Sequence, residues 1–446
     1  MSGGSFLDIV RRLHGGDNYA GDEYGGAAGS DGRGLPDGGP RDFMFATGIE
    51  CSYPTIDRGR VRRDLLAECG HYDRWREDLA LVRALGLKVL RYGLPYYRTH
   101  LGPGKYDWAF ADEAMAEIRR LGITPILDLM HFGVPDWLGD YQNPELPTRF
   151  AEYAGAVAER YPWVRFYTPV NEMYVTARVS ALDGLWNEQR ADPRAFVTAT
   201  KHVVAASILA SHELARRRPD VVIVQSESAE FTHEARAVPS PEVTLRNKLR
   251  FLALDLLYAH TPDADVVLYC LDSGLTREEY DWFMRGEPPG YQVMGVDYYG
   301  RNERILCPDG SVVSGEDVLG WFHIVRAYYA RYLKPVMHTE TNVFSAEDAP
   351  TWLWKQWVNV LRMRATGVPV LGFTWYSLVD QVDWDSELTV RRGTVNPCGL
   401  YDLARRPRPV AATFRRLLEE FGRITVVPHG EMFELTDREA RLKVEV

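Results

Sequence analysis

The feature that most constrains this chain is a rhythm. From Asp42 onward a short apolar, β-branched run ending in polar or aromatic residues gives way to a longer stretch of helical period, and the pattern recurs eight times. The runs are FMFATGI (43–49), LKVLRYG (87–93), TPILDLMH (124–131), VRFYTPVNE (164–172), VVIVQSE (221–227), VMGVDYY (293–299), PVMHTE (335–340) and VLGFTWYSL (370–378). Amphipathic segments such as WREDLALVRALG and FAEYAGAVAERY lie between them. Strands alternating with helices imply parallel pairing through right-handed crossovers, and eight repeats close into a barrel. An open doubly wound sheet would place a Gly-rich phosphate turn after the first strand, and the sequence has none. The expected fold class is therefore α/β, a single (β/α)8 TIM barrel. Its 446 residues fall within the length such barrels reach with insertions.

Residues 1–41 are expected to be a flexible leader and 42–446 the catalytic barrel with a short C-terminal extension. The stretch from Gly15 to Pro40 is crowded with Gly, Asp, Ser and Pro and has too little apolar surface to offset its ordering entropy. Phe6 to Leu13 is amphipathic and reads either as a docked helical turn or as a frayed terminus. The helical insert between Ala191 and Pro219 suits packing or assembly, so a homo-oligomer is left open.

A net charge of −10, from 52 Lys+Arg against 62 Asp+Glu, opposes association with nucleic acid or an anionic membrane. The five cysteines are scattered, without a CxxC pair, which argues against a disulfide framework or a zinc site. No cofactor or metal is called for. The sequence has no apolar h-region after a basic start and no 18-residue apolar run, and a cytoplasmic location is expected.

Barrel enzymes carry their chemistry at the C-terminal ends of the strands. Those ends read Glu50, Arg91, His131, Asn171-Glu172, Glu227, Asp297 to Tyr299, Glu340, and Trp375 to Asp383. One glutamate at a rim is most simply a solvated charge. Two glutamates closing the fourth and seventh runs, on facing sides of an eight-strand barrel, instead match what glycosidic cleavage needs: an acid for the leaving oxygen and a carboxylate across the sugar. Arg91 could keep a neighbouring carboxylate ionised, Asn171 could donate to a sugar hydroxyl, and Tyr299 could donate to a carboxylate.

These segments resemble glycoside hydrolase family 1, the retaining β-glucosidases and β-galactosidases, over about Phe43 to Phe421. YTPVNEM is similar to the family's T-x-N-E-P motif and MHTETN to its T-E-N-G motif, which implies Glu172 as acid/base and Glu340 as nucleophile. LRYGLPYYR, DLMHFGVPDWL, MGVDYYG and GFTWYSLVDQVDW follow in the family's order. They imply Arg91 beside the nucleophile, His131 and Asn171 on sugar hydroxyls, and Tyr299 as the nucleophile's hydrogen-bond partner.

The departures cluster on the sugar pocket. Glu50 is the nearest polar residue to a missing strand-one glutamine. Asp383 stands for a glutamate that grips two hydroxyls, and Phe132 stands for a tryptophan. Tyr376 stands for the stacking tryptophan, with Trp375 one position earlier; Trp375 and Trp384 flank the mouth. Met173 and Thr341-Asn342 replace residues beside the catalytic pair. DSELTVRR lacks the Ser-x-Lys-x-Tyr pattern of the phospho-glycosidase branch.

The resemblance implies a retaining β-glycosidase acting on a small glycoside or oligosaccharide, with an altered sugar preference. The rival readings are a transglycosylase on the same scaffold and a carbohydrate-binding pseudoenzyme. The second of these should have lost a catalytic carboxylate, and both are present.

Overall fold

A computed structural model describes residues 5–14, 42–236 and 239–426. Eight parallel strands close into one barrel. They are β1 (Met44–Gly48), β2 (Val89–Gly93), β3 (Thr124–Asp128), β4 (Phe166–Thr168), β5 (Val222–Ser228), β6 (Tyr291–Asp297), β7 (Val336–His338) and β8 (Val370–Trp375). Each lies inside one of the eight runs or overlaps it. Neighbours in sequence are neighbours in space, and β8 pairs with β1 from Met44↔Gly372 to Thr47↔Trp375 to complete the ring.

The strand period of two decides what fills the barrel. In its lower part Met44, Ala46, Val89, Ile126, Phe166, Val222, Val224, Val293, Met337 and Leu371 form a separate apolar cluster. Two residues further along, on the same inward face, stand Arg91 after Val89, Asp128 after Ile126, Thr168 after Phe166 and Ser226 after Val224. The interior thus changes from apolar to polar within one side-chain layer. Gly295 on β6 marks the tightest point, because a Cβ there would lie 1.9 Å from the Gln225 carbonyl oxygen.

The outward faces of the strands pack against the surrounding helices in the larger core. The insert between Ala191 and Pro219 is one helix, Pro193–Arg217, capped by the Asp192 side chain on the Ala195 amide at 3.2 Å. Its buried face, including Phe196, Val203 and Leu209, packs on helix Leu146–Arg160, so packing accounts for it.

The chain start differs from the expected leader. Phe6–His14 is a helix, α1, with Phe6, Leu7 and Val10 buried. The Phe6 ring meets His202 and Trp282 edge to face at 5.9 and 5.5 Å, and Ser5 Oγ donates to Glu279 at 2.9 Å. Three large apolar side chains at helical spacing suffice to dock nine residues. The Gly-rich stretch expected to be flexible and the C-terminal extension fall mostly at 15–41 and 427–446, outside the described residues. Among the described residues no helix is long and apolar enough to cross a membrane.

Candidate active site

Glu340 follows β7 and both its oxygens are held. Arg91 Nη1 donates to Oε1, and the Tyr299 hydroxyl donates to Oε2 at 2.7 Å. Arg91 is buried and braced from below: its Nη2 donates to Asp128 Oδ2 at 2.7 Å and to Asn171 Oδ1 at 2.5 Å. A guanidinium fork shared among two carboxylates and an amide has almost no freedom to turn.

Glu172 sits at the turn from β4 into the short helix Met173–Ala177. Its backbone is left-handed, with φ 40°, and its amide donates to the Ser226 carbonyl at 2.7 Å. A left-handed non-glycine residue carries strain of order 1–2 kcal/mol, which the surrounding turn must hold. The carboxyl is buried. Burial pushes its pKa well above the usual range, with further upward pressure from Asp297, Glu227 and Glu230 that Arg91 only partly opposes. Burial also raises Asp297 to about 6, although Arg91 and the Ser226 hydroxyl pull the other way. Burial raises Glu227 to about 8 against the Ser228 and Tyr174 amides that donate to it.

His131 follows β3. Asn171 Oδ1 is engaged by Arg91, so Nδ2 is the atom that faces His131 Nε2 at 3.0 Å and donates to it. His131 Nδ1 then carries the proton and donates to Asp128 Oδ2 at 2.8 Å. Cys51 Sγ lies 3.4 Å from the same nitrogen. Cys51, Asp128 and His131 bring three potential metal-ligand atoms within 4.8 Å of one another, yet Arg91 already delivers positive charge to the Asp128 oxygen involved.

A cavity of about 620 Å³, including its open mouth, lies over these groups. Of the residues singled out in the sequence, Glu50, His131, Phe132, Glu172, Tyr299, Glu340 and Trp384 line it. Arg91 and Asn171 lie behind that lining and orient it through the bonds above.

Two expectations need correction. Trp375 is fully buried, its Nε1 donating to the Cys398 carbonyl at 3.0 Å, and it is a packing residue of β8. Asp383 is fully buried away from the cavity. It adopts a left-handed conformation, pairs with Arg63 at 3.0 Å and accepts from the amides of Arg392, Gly393 and Thr394. These bonds hold its carboxyl below the usual range despite burial. A carboxylate with four donors of its own has little left for a sugar.

The sequence reading missed Gln381, Trp186 and Arg301. Gln381 Nε2 donates to Glu50 Oε2 at 2.8 Å. Trp186 forms an aromatic wall with Phe132 and Trp384, ring centroids 4.9 and 6.1 Å away. Arg301 lies 5.1 and 5.3 Å from the rings of Tyr299 and Trp384. Gln381 lay inside the strand-eight segment already noted. Trp186 follows no strand and offered no signal.

Comparisons with known proteins agree with this arrangement. The sequence profile of glycosyl hydrolase family 1 matches residues 51–253. The structure of β-glucosidase from Thermotoga maritima in complex with glucoimidazole superposes with a TM-score of 0.72 at 19% identity, covering 87% of this chain and 99% of that one. In sequence, β-glucosidase A of Thermotoga maritima is 30% identical over 125 residues, 26% of this chain and 28% of the relative. The β-glucosidase-like SFR2 of Oryza sativa subsp. japonica is 23% identical over 380 residues, 78% of this chain and 55% of the relative. The galactolipid galactosyltransferase SFR2 of Arabidopsis thaliana is 21% identical over 380 residues, 78% of this chain and 57% of the relative. The matched segments therefore span from about a quarter to just over half of these curated relatives.

Proposed function

The chain is a divergent member of glycosyl hydrolase family 1, and from that premise we propose that it hydrolyses β-linked sugars with retention through a covalent glycosyl-enzyme. The observation that carries this reading is the unequal treatment of two glutamates beside one cavity. Glu340 receives a hydrogen bond on each oxygen, one from a guanidinium, which favours its charged form. Glu172 is buried among other carboxyls, and that burial with its acidic neighbours raises its pKa well above the usual range, which favours its protonated form. Environments that push two carboxyls apart assign the acid and the nucleophile.

Glu340 attacks the anomeric carbon while Glu172 protonates the departing oxygen. The C–O bond to the leaving group breaks as the bond to Glu340 forms. Glu172, now ionised, takes a proton from water as the water oxygen displaces Glu340 and releases the sugar. Arg91 and Tyr299 stay on Glu340 throughout and steady its changing charge.

Activated 2-deoxy-2-fluoro β-glycosides of several sugars, followed by intact mass and peptide mapping, test the reading. A slowly turned-over adduct on Glu340 is expected. Inverted product, or an adduct elsewhere, would overturn it. A second reading replaces water by an acceptor alcohol and is favoured by the likeness to a relative named as a galactosyltransferase. Product analysis with added acceptor separates the two.

A further inference from the structure

The wall of the same cavity carries two side chains that the mechanism does not use. Glu50 is 1% exposed and Gln381 is 2% exposed, and both line the cavity. Glu50 Oε1 accepts from the Ser52 amide at 2.9 Å, and Oε2 accepts from Gln381 Nε2 at 2.8 Å. That second bond fixes the Gln381 amide, because only its nitrogen can face a carboxylate. Gln381 Oε1 is thereby turned elsewhere, and it is buried with no partner among the described residues. Trp384 Nε1, on the same cavity wall, is likewise buried without a partner.

Buried polar atoms are almost always satisfied, so an orphaned acceptor on a cavity wall calls for an explanation. Glu50 has no ion-pair partner among the described residues, and its two protein hydrogen bonds leave lone pairs free. Asp383 does not share the task, since its oxygens are held by Arg63 and three backbone amides.

We propose that Glu50 and Gln381 together form the sugar-recognition subsite of this chain, gripping adjacent hydrogen-bond donors of the glycone through the Glu50 carboxylate and Gln381 Oε1. The claim rests on the glycosidase reading above and adds the residues that choose the sugar. The pair presents mostly acceptors, so its ligand is a group rich in donors: two neighbouring hydroxyls, or a hydroxyl beside a protonated amine. A glycone bearing phosphate or carboxylate at that position meets an uncompensated carboxylate and is rejected.

The test is a substrate cycle. Aryl β-glycosides of the preferred sugar and each of its monodeoxy, amino-deoxy and phosphorylated analogues are assayed with the wild type, Glu50→Gln and Gln381→Leu. In the wild type, removing one particular hydroxyl should lower kcat/KM roughly 100-fold, the scale of losing a hydrogen bond to a buried charged group. In both variants activity on the parent sugar should fall by a similar factor. The penalty for that same deoxy position should shrink to less than about threefold, with penalties at other positions kept. The amino analogue at that position, more active than its deoxy counterpart only in the wild type, would identify an ammonium as an accepted donor.

An unchanged deoxy penalty in both variants would overturn the subsite and leave the pair as scaffold around bound water. So would wild-type preference for a phosphorylated sugar. Failure of Glu340 to label would sink the glycosidase reading instead. In that case calorimetric binding of the same free sugars still decides the subsite: the variants must lose the discrimination the wild type shows.

Discussion

The two sides of the cavity are built on different rules. On the side of β2, β4, β6 and β7, Arg91, Asn171, Glu172, Tyr299 and Glu340 sit on strands or within a few residues of their ends, and Arg91, Asn171, Tyr299 and Glu340 are tied into one continuous hydrogen-bonded group. On the side of β1 and β8 the wall is made by segments that have left the barrel, and their side chains are aimed by turns. Trp384, on that wall, directly follows the left-handed Asp383. Apart from Glu172, whose own turn is left-handed, the first side is placed by the pleat of the sheet, which the sequence spells out. The second is placed by long-range capping of loops, which it does not.

The contrast can be broken most directly at Glu340. Glu340→Gln should lower kcat by roughly 10³-fold or more, the scale expected when a nucleophile is removed, and retention of even a tenth of wild-type turnover would sink the assignment. Asp383→Ala sharpens the other side. It removes one of the two carboxylates on the buried Arg63 guanidinium, leaving Glu68, and uncaps three amides, so a loss of about 2–4 kcal/mol in urea unfolding is expected. Unchanged stability with a raised KM would return Asp383 to the sugar pocket.

Glu227→Gln probes the acidic floor beneath Glu172. Folding raises the Glu227 pKa to about 8, so the folded state binds a proton that the unfolded chain releases near 4.5. Its contribution is fully present below about pH 4.5 and is lost as pH rises toward 8. A glutamine cannot lose that proton, so the variant's stability relative to wild type should improve by roughly 2 kcal/mol between pH 5 and pH 7. A parallel pair of stability curves would refute it. The smallest effect is expected at Tyr299→Phe, a roughly ten- to thirtyfold fall in kcat/KM from one hydrogen bond to a charged oxygen.

Much of the fold was legible because a barrel strand buried on both faces reads as a compact apolar run, and eight such runs admit few other closures. Glu172 and Glu340 were legible for the same reason: each closes its run. Trp375 misled because an aromatic residue at the end of a strand can face the mouth or the helices, and one position of register decides which. Asp383 misled because its partner Arg63 lies 320 residues earlier in the chain. No local pattern could announce that pairing. Helix α1 was ambiguous because nine residues cannot hold a helix alone, and the surface around Trp282 that secures it is distant in sequence.

Arg63 also ties one part of the cavity wall to a residue outside it. Its guanidinium holds Glu68 at 2.6 and 3.0 Å, the carbonyls of Leu388 and Val390, and Asp383, so one residue outside the cavity lining braces the loop that follows Gln381 and Trp384. If Glu50 and Gln381 choose the sugar as proposed, preference is a property of a lever arm as well as of a lining. A lineage could retune it by shifting the fulcrum at Arg63 or Glu68, leaving every group that meets the substrate chemically intact.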